Sequence, residues 1–344
     1  MEKINYIKIF YYLSLMEDMI EPLLDPANER FTIHPIKHPD IWNMYKEQLA
    51  AFWRAEEIDY SNDYQDFILL EPEEQHFIKM ILAFFASSDG IVNFNLRERF
   101  LNEIKITEAQ VAYGFQLMME NIHGEVYSLM LENIVKNAEE RYELFNAIKS
   151  IEPIKLMAEW AIKWIHSDET IGHRIIAFAI VEGIFFSGAF AAIFWLKKYR
   201  NRGKNIMPGL IKSNILISRD EGSHCRYACL LYSKVVNRLT KNVVHNIFDE
   251  AVNISKNFNK NAIRCDLIGM NLKMMDDYIE YVADTLLSLL DYEKKYNTEN
   301  PFPFMESIAL ATKANFFETK PVEYQSAFNP NNVNKNELRL LEDF

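Results

Sequence analysis

The sequence predicts an all-α protein, and three observations carry that expectation. Only 10 glycines and 11 prolines occur in 344 residues, roughly half the usual share of each, so tight turns are scarce. Leu, Ile, Met, Phe, Glu and Lys are abundant, which suits long helices better than many short strands. Apolar residues recur at helical spacing over most of the chain, and no convincing period-two run accompanies them. The apolar share of 49% and charged share of 25% describe a globular chain with a large core. With 37 basic against 49 acidic residues the formal charge is −12, a sign that disfavours a nucleic-acid binder, which needs a basic face.

Taken in order, helical patterns fall near 41–57, 73–101, 107–136, 138–148, 152–165, 168–198, 208–234, 241–260 and 264–292. Pro72, Pro153 and Pro208 stand near helix starts, where a missing N–H does no harm. The expected organisation is an N-terminal arm over 1–25, a helical domain over 26–295, an extension packed on it over 296–320, and a flexible tail over 321–344. The apolar stretch Ile4 to Leu15 runs into Glu17 and Asp18 without a small-x-small cleavage site, so it is not read as a secretion signal. Cys225, Cys229 and Cys265 are too few for a disulfide framework, and the Cys225/Cys229 spacing fits neither a zinc knuckle nor a redox pair. A reducing cytosol follows, with the cysteines read as packing residues.

Ile175 to Leu196 is a run of 22 residues, long enough to cross a bilayer. Glu182 interrupts it, and a lone carboxylate there costs several kcal/mol unless it has a partner. No second run of this kind is expected, so the segment reads as the central helix of a soluble bundle whose acid binds something.

Two Glu-x-x-His pairs occur, Glu120/His123 and Glu221/His224. Residues i and i+3 share a helix face, so each pair offers one oxygen and one nitrogen to a single point. Glu120 and His123 fall on the apolar stripe Tyr113, Leu117, Tyr127, Met130, and Glu221 and His224 on Ile217, Ala228, Leu231. Asp89 and Glu182 also fall on apolar stripes. Four carboxylates carry −4 and two divalent ions 2 × (+2) = +4, so a dinuclear site balances the buried charge. Four carboxylates with two imidazoles suit iron or manganese better than a structural zinc. Two acids plus two Glu-x-x-His motifs, in the order 89, 120–123, 182, 221–224, make the ligand pattern of ferritin-like dinuclear carboxylate bundles. His166 and His173 lie in a polar segment and, like His34, His38, His76 and His245, are not counted as ligands.

Several longer stretches resemble the small, radical-generating subunit of class I ribonucleotide reductase of the eukaryotic and eukaryotic-virus type. They are Phe84-Phe-Ala-Ser-Ser-Asp-Gly-Ile-Val-Asn, Met119-Glu-Asn-Ile-His-Gly-Glu-Val-Tyr127-Ser-Leu, Val181-Glu-Gly-Ile-Phe-Phe-Ser-Gly, Phe194-Trp-Leu-Lys-Lys, Ile217-Ser-Arg-Asp-Glu-Gly-Ser-His-Cys and Ala314-Asn-Phe-Phe-Glu. The likeness runs from about residue 25 to residue 344 and holds all six ligands. It implies an oxo-bridged pair of iron ions, with manganese possible, held by Asp89, Glu120, His123, Glu182, Glu221 and His224. It further implies a stable radical on Tyr127, which spacing places one turn from His123 on the same face. Trp53 and Asp220 resemble the relay leading from the His123 side toward the surface, and Tyr324 resembles the relay tyrosine that bridges the two subunits. Phe186, Phe190 and Ile217 resemble the apolar wall around the metals and radical.

The activity so implied is reduction of ribonucleoside diphosphates to deoxyribonucleoside diphosphates for DNA replication. A cytoplasmic homodimer would perform it with a separate large subunit, docked through the tail ending Asp343-Phe344, and with neither nucleic acid nor membrane. The tail departs from the family pattern, with Leu338 in place of an aromatic residue and a new Arg339. Two rival readings remain at this level. A stand-alone ferritin-like di-iron oxidase or ferroxidase is opposed by Tyr127 and the tail; a non-catalytic scaffold paralogue is opposed by the six ligands.

Overall fold

Long helices form where the apolar periodicity places them, and their ends follow local chemistry. The computed structural model describes residues 21–200, 206–262, 267 and 269–305. Tyr324, Asp343, Phe344, Cys265, residues 321–344 and most of the 1–25 arm and the 296–320 extension lie outside the described residues. The α-helices of five or more residues are α1 (Pro39–Ala50), α2 (Asp63–Phe67), α3 (Pro72–Asn95), α4 (Thr107–Ile134), α5 (Ala138–Phe145), α6 (Glu152–Ile165), α7 (Ile171–Ile180), α8 (Phe186–Trp195), α9 (Pro208–Tyr232), α10 (Lys241–Ala262) and α11 (Leu272–Leu289). Among the described residues there is no strand, only an isolated bridge between Leu267 and Met270.

Helix α3 starts at Pro72, where Glu71 and Glu74 form a capping box. It packs along α4, and α7 packs along α9, while α1 lies on α4 and α10 on α6 and α11. A π-helical turn, Val181–Phe185, joins α7 to α8 and carries Glu182. The helix from Ile171 to Arg200 is the one that imitates a membrane span, and 94% of its most apolar window is buried inside the bundle. The expectation of a single such run is corrected: Pro72–Glu103 also has the length and apolarity to cross a membrane, with 56% of its window buried. Its polar residues, Ser87, Ser88 and Asn93 among them, gather on the half-exposed side, so averaging along the helix hides its amphipathy.

Two predicted helices are too long. The 41–57 pattern stops at Ala50, and residues 55–57 form a separate 3-10 turn. Leaving the helix lets Trp53 turn inward, where it is 1% exposed. The 264–292 pattern becomes helical only at Leu272, because the Asn271 side chain caps α11 by accepting from the Met274 N–H, and Gly269 before it is left-handed at φ 77°. At the C-terminal end of the described chain, Phe302 and Met305 bury against the core.

The start of α9 matters because this helix carries Glu221 and His224. Asp63, on α2, accepts the N–H groups of Gly209 at 2.9 Å and Leu210 at 2.6 Å, and Asp66 accepts that of Met207 at 2.7 Å. These are the unsatisfied donors of a helix N-terminus, capped here by another helix. A side chain at Gly209 would put its Cβ 2.5 Å from the Tyr60 ring and 2.7 Å from the Asp59 carbonyl. Burial pushes the Asp63 carboxyl up to about 6, against the pull of the two N–H groups. At neutral pH it is an ionised cap.

At the start of α4, the buried Glu108 accepts from the Lys37 and His38 N–H groups and from the Arg30 side chain, tying residues 30–38 to the bundle. Burial works to raise its pKa, but these hydrogen bonds outweigh it and the net shift is downward. A lowered carboxyl pKa stabilises the fold above the unfolded value of about 4.3, and that stabilisation disappears as pH falls through the folded value.

Two tests follow from these ties. Asp63→Ala should destabilise the protein by about 1–2 kcal/mol, read from the urea midpoint at unchanged slope. Amide exchange at Lys37 and His38, whose N–H groups donate to Glu108, should be slow at neutral pH and lose its protection below about pH 4, and Glu108→Gln should abolish that pH dependence.

Candidate metal centre

Four helical segments deliver the predicted ligands to one place. Asp89 comes from α3, Glu120 and His123 from α4, Glu182 from the π-helical turn, and Glu221 and His224 from α9. None of the six is more than 2% exposed, so water does not screen their charges. Glu120 places Oε2 3.2 Å from His123 Nδ1 and Oε1 2.9 Å from His224 Nδ1. Glu221 places Oε1 3.0 Å from His123 Nδ1 and Oε2 3.1 Å from His224 Nδ1. Each motif glutamate therefore spans both imidazoles, one oxygen to each. Potential ligand atoms of Glu120, Glu182, Glu221 and His224 lie within 4.8 Å of one another, and so do those of Asp89, Glu120 and His123. Two groups that share Glu120 could hold two metal ions side by side.

The residues present fit such a site. Both Asp89 oxygens and Glu182 Oε2 are buried without a hydrogen-bond partner among the described residues, a costly state for a carboxylate unless a cation meets it. The donors are oxygen and imidazole nitrogen, the set that suits iron and manganese. Cys225, beside His224, is buried with its thiol toward the Ala179 carbonyl at 3.5 Å; it packs and does not join the cluster.

Without a cation the protein balances these charges with protons. Burial and the Glu120 carboxylate raise the Asp89 carboxyl well above its ordinary value, and burial with the Glu221 and Glu120 charges does the same to Glu182. Burial opposes the protonation of His224, yet Glu120 and Glu221 push it up to about 10. The same two acids and Asp220 raise His123. Burial would raise Glu221, but the two imidazoles hold it far below the usual carboxylate range.

Asp220 is 7% exposed, so it is not the surface acid that a bland reading would make it. Its Oδ2 accepts from Trp53 Nε1 at 2.7 Å and lies 3.2 Å from His123 Nε2, while Oδ1 accepts from the Arg219 guanidinium at 3.1 and 3.0 Å. The Trp53 ring also stacks on His123, with centroids 5.9 Å apart and planes at 20°. Trp53, Asp220 and His123 thus form a continuous buried chain that joins the cluster to the α1 side of the bundle.

Tyr127 is 2% exposed and stacks on Phe85 at 4.7 Å and 18°. Phe85 in turn meets Phe186 at 5.7 Å and Phe190 at 5.0 Å, and Ile217 is fully buried. Burial, reinforced by the Asp89, Glu221 and Glu120 charges, drives the Tyr127 phenol pKa far upward. His166 is exposed and His173 stacks on Trp164, so both stand apart from the cluster as expected.

Sequence reasoning assigned no role to Gln116 or Phe85. The Gln116 amide donates to Glu182 Oε1 at 3.1 Å and Glu120 Oε1 at 3.3 Å, and the residue is fully buried. The available signal was its place four residues before Glu120 on the ligand-bearing stripe, where an uncharged amide otherwise has no reason to be.

The family described as "Ribonucleotide reductase, small chain" matches residues 30–301. The ribonucleoside-diphosphate reductase small chain of vaccinia virus (strain Ankara) is 53% identical over 306 residues, covering 89% of this chain and 94% of that one. The corresponding protein of Nicotiana tabacum is 50% identical over 328 residues, covering 94% and 98%. The structure of the Rnr4 homodimer of ribonucleotide reductase from Saccharomyces cerevisiae superposes with a TM-score of 0.76 at 37% identity, covering 87% of this chain and 95% of that one.

Gln116→Leu keeps the volume of the side chain and removes the donor that two of the carboxylates share. The expected result is a 10–100-fold loss of Mn(II) affinity, measured from the free-ion paramagnetic resonance signal, with helix content unchanged by circular dichroism.

Proposed function

The chain belongs to the ribonucleotide reductase small-chain family, and on that premise we propose that it generates and stores a tyrosyl radical for the reduction of ribonucleoside diphosphates to deoxyribonucleoside diphosphates. The reduction itself takes place on the large subunit with which such a chain works. The observation that carries this reading is a buried phenol, Tyr127, on the same helix face as two of six convergent buried ligands.

Asp89, Glu120, His123, Glu182, Glu221 and His224 would hold two metal ions, taken here as iron, with manganese as the other cation this donor set admits. Such a pair supplies one-electron oxidation driven by dioxygen. The rest falls to the protein's own side chains. Tyr127 keeps its phenolic proton at rest, because burial and three nearby carboxylates disfavour the phenolate. Its oxidation therefore requires the proton to leave the phenol oxygen together with the electron. Phe85, Phe186 and Phe190 shield the resulting radical from water and reductants.

Asp220 holds His123 through Nε2 and Trp53 through Nε1, so it orients a ligand and links it to an oxidisable ring in one contact pair. We assign these residues to the outward transfer of the oxidising equivalent. Tyr324 and the tail ending in Phe344 are assigned to the last step and to docking on the large subunit, on family resemblance alone. A homodimeric state is supported by the yeast neighbour, which is a homodimer. Cytosolic residence is supported by the paucity of cysteine, 3 in 344 residues.

Exposure of the metal-free full-length protein to Fe(II) and then dioxygen should produce a tyrosyl paramagnetic resonance signal. Tyr127→Phe should eliminate the signal while binding the same amount of iron. Trp53→Phe should retain signal and iron but lose turnover with the large subunit. Turnover without any large subunit would instead favour a stand-alone oxidase, and failure to take up metal would favour a scaffold.

A further inference from the structure

Two nucleophilic side chains of α9 take no part in the cluster. Cys225 is fully buried and Cys229 is 8% exposed, and both are free thiols. They stand four residues apart, so they share one face of the helix in successive turns. The Cys225 thiol points at the Ala179 carbonyl of α7 at 3.5 Å. The Cys229 thiol lies against it, a contact that together with burial raises Cys225 well above its ordinary value. Cys229 belongs to the last turn of α9, which ends at Tyr232, and the last turn of a helix opens more readily than its middle. The pair is therefore entered from Cys229, with Cys225 behind it.

What two thiols in this position can hold is set by distance and charge. Cβ atoms four residues apart on a helix are about 5–6 Å from one another, whereas a disulfide needs about 3.5–4.5 Å, so a direct S–S bond requires the helix to deform. A single atom placed between the sulfurs replaces one bond by two and spans the gap with the helix intact. A soft divalent cation is such an atom, but it binds thiolates. Two thiolates here would add two negative charges to a dry interior that already holds Asp89, Glu120, Glu182 and Glu221, the last of them one turn before Cys225. A trivalent arsenical avoids that charge. An organoarsenous acid, R–As(OH)2, condenses with two neutral thiols: two As–S bonds form, two As–O bonds break, each thiol proton leaves with a hydroxyl as water, and no electron changes hands. The product is uncharged and apolar, as the surroundings of the pair require.

We propose that Cys225 and Cys229 form a dithiol site for trivalent organoarsenicals, closed by one arsenic atom across a single turn of α9. The hard oxygen and nitrogen donors on the same helix, Glu221 and His224, have no part in it. The site requires neither bound metal nor the reductase function proposed above, so the two can fail separately.

The test is to incubate the full-length protein with phenylarsine oxide, which hydrates to the acid, and to measure the intact mass after the excess is removed. Uptake of one phenylarsenic unit per chain with loss of two hydrogens is expected. It should survive an excess of a monothiol and be removed by a vicinal dithiol, because both sulfurs hold the same atom. Cys229→Ser and Cys225→Ala should each weaken retention against the monothiol by about 100-fold or more, with helix content unchanged by circular dichroism, whereas Cys265→Ser should leave it intact. Should Cys225→Ala lose helix content, Cys229→Ser, at the edge of the core, decides alone. The proposal is overturned if no arsenical is taken up, if retention persists in Cys229→Ser, if the monothiol strips it from the unaltered protein as easily as from a single-cysteine adduct, or if Cys265→Ser abolishes it.

Discussion

Everything in this bundle is arranged around the burial of four carboxylates beside two imidazoles. The glutamate oxygens lie about 3 Å from the histidine nitrogens, and without such compensation four negative charges in a dry interior would drive the helices apart. The structure tolerates them because the charges face one another across four helical segments and can be neutralised together, by protons or by cations that such a donor set could hold. Glu120 and Glu221 are central to this, since each touches both histidines. A ligand set of this kind resists piecemeal change: removing one acid alters the balance for the other five.

The surrounding scaffold serves that cluster in ways that differ from ordinary packing. Helix α9 is held at its first turn by Asp63 and Asp66 of another helix, which sets the rotation at which Glu221 and His224 face inward thirteen and sixteen residues later. The helix carrying Glu182 passes through the bundle almost wholly buried, with a π-helical turn at the ligand itself. Such a turn inserts one extra residue, so it re-aims a side chain without ending the helix. On the other side, the break after α1 frees Trp53 to reach Asp220. These are three local departures from a regular bundle, and each delivers a particular side chain to the cluster or to the chain of contacts leading away from it.

The wall around Tyr127 illustrates how one feature meets two demands. Stacked and tilted rings from α3, α4 and α8 fill the interior densely, which stabilises the bundle, and the same rings keep water from the phenol. Dryness raises the phenol pKa and so couples any electron loss at Tyr127 to loss of its proton. The side of Trp53 and Asp220 has the opposite character. There an ionised Asp220, held low in pKa by Arg219 and His123 against the effect of burial, connects two rings through hydrogen bonds.

The sequence by itself determined the all-helical class, the convergence of six candidate ligands on shared helix faces and the position of Tyr127. Those properties depend on spacing along single helices, which composition and i, i+3 periodicity express directly. Resemblance to a family's motifs could likewise be read from contiguous residues. Only the tertiary structure decided that Gln116 bridges two carboxylates, that Phe85 covers Tyr127, that Asp63 caps a helix nearly 150 residues away, and that the central helix is buried over far more of its apolar window than Pro72–Glu103. The reason is physical. A hydrogen bond between helices, or the face on which polar residues gather, depends on how helices are rotated against one another, and no single helix carries that information in its own pattern.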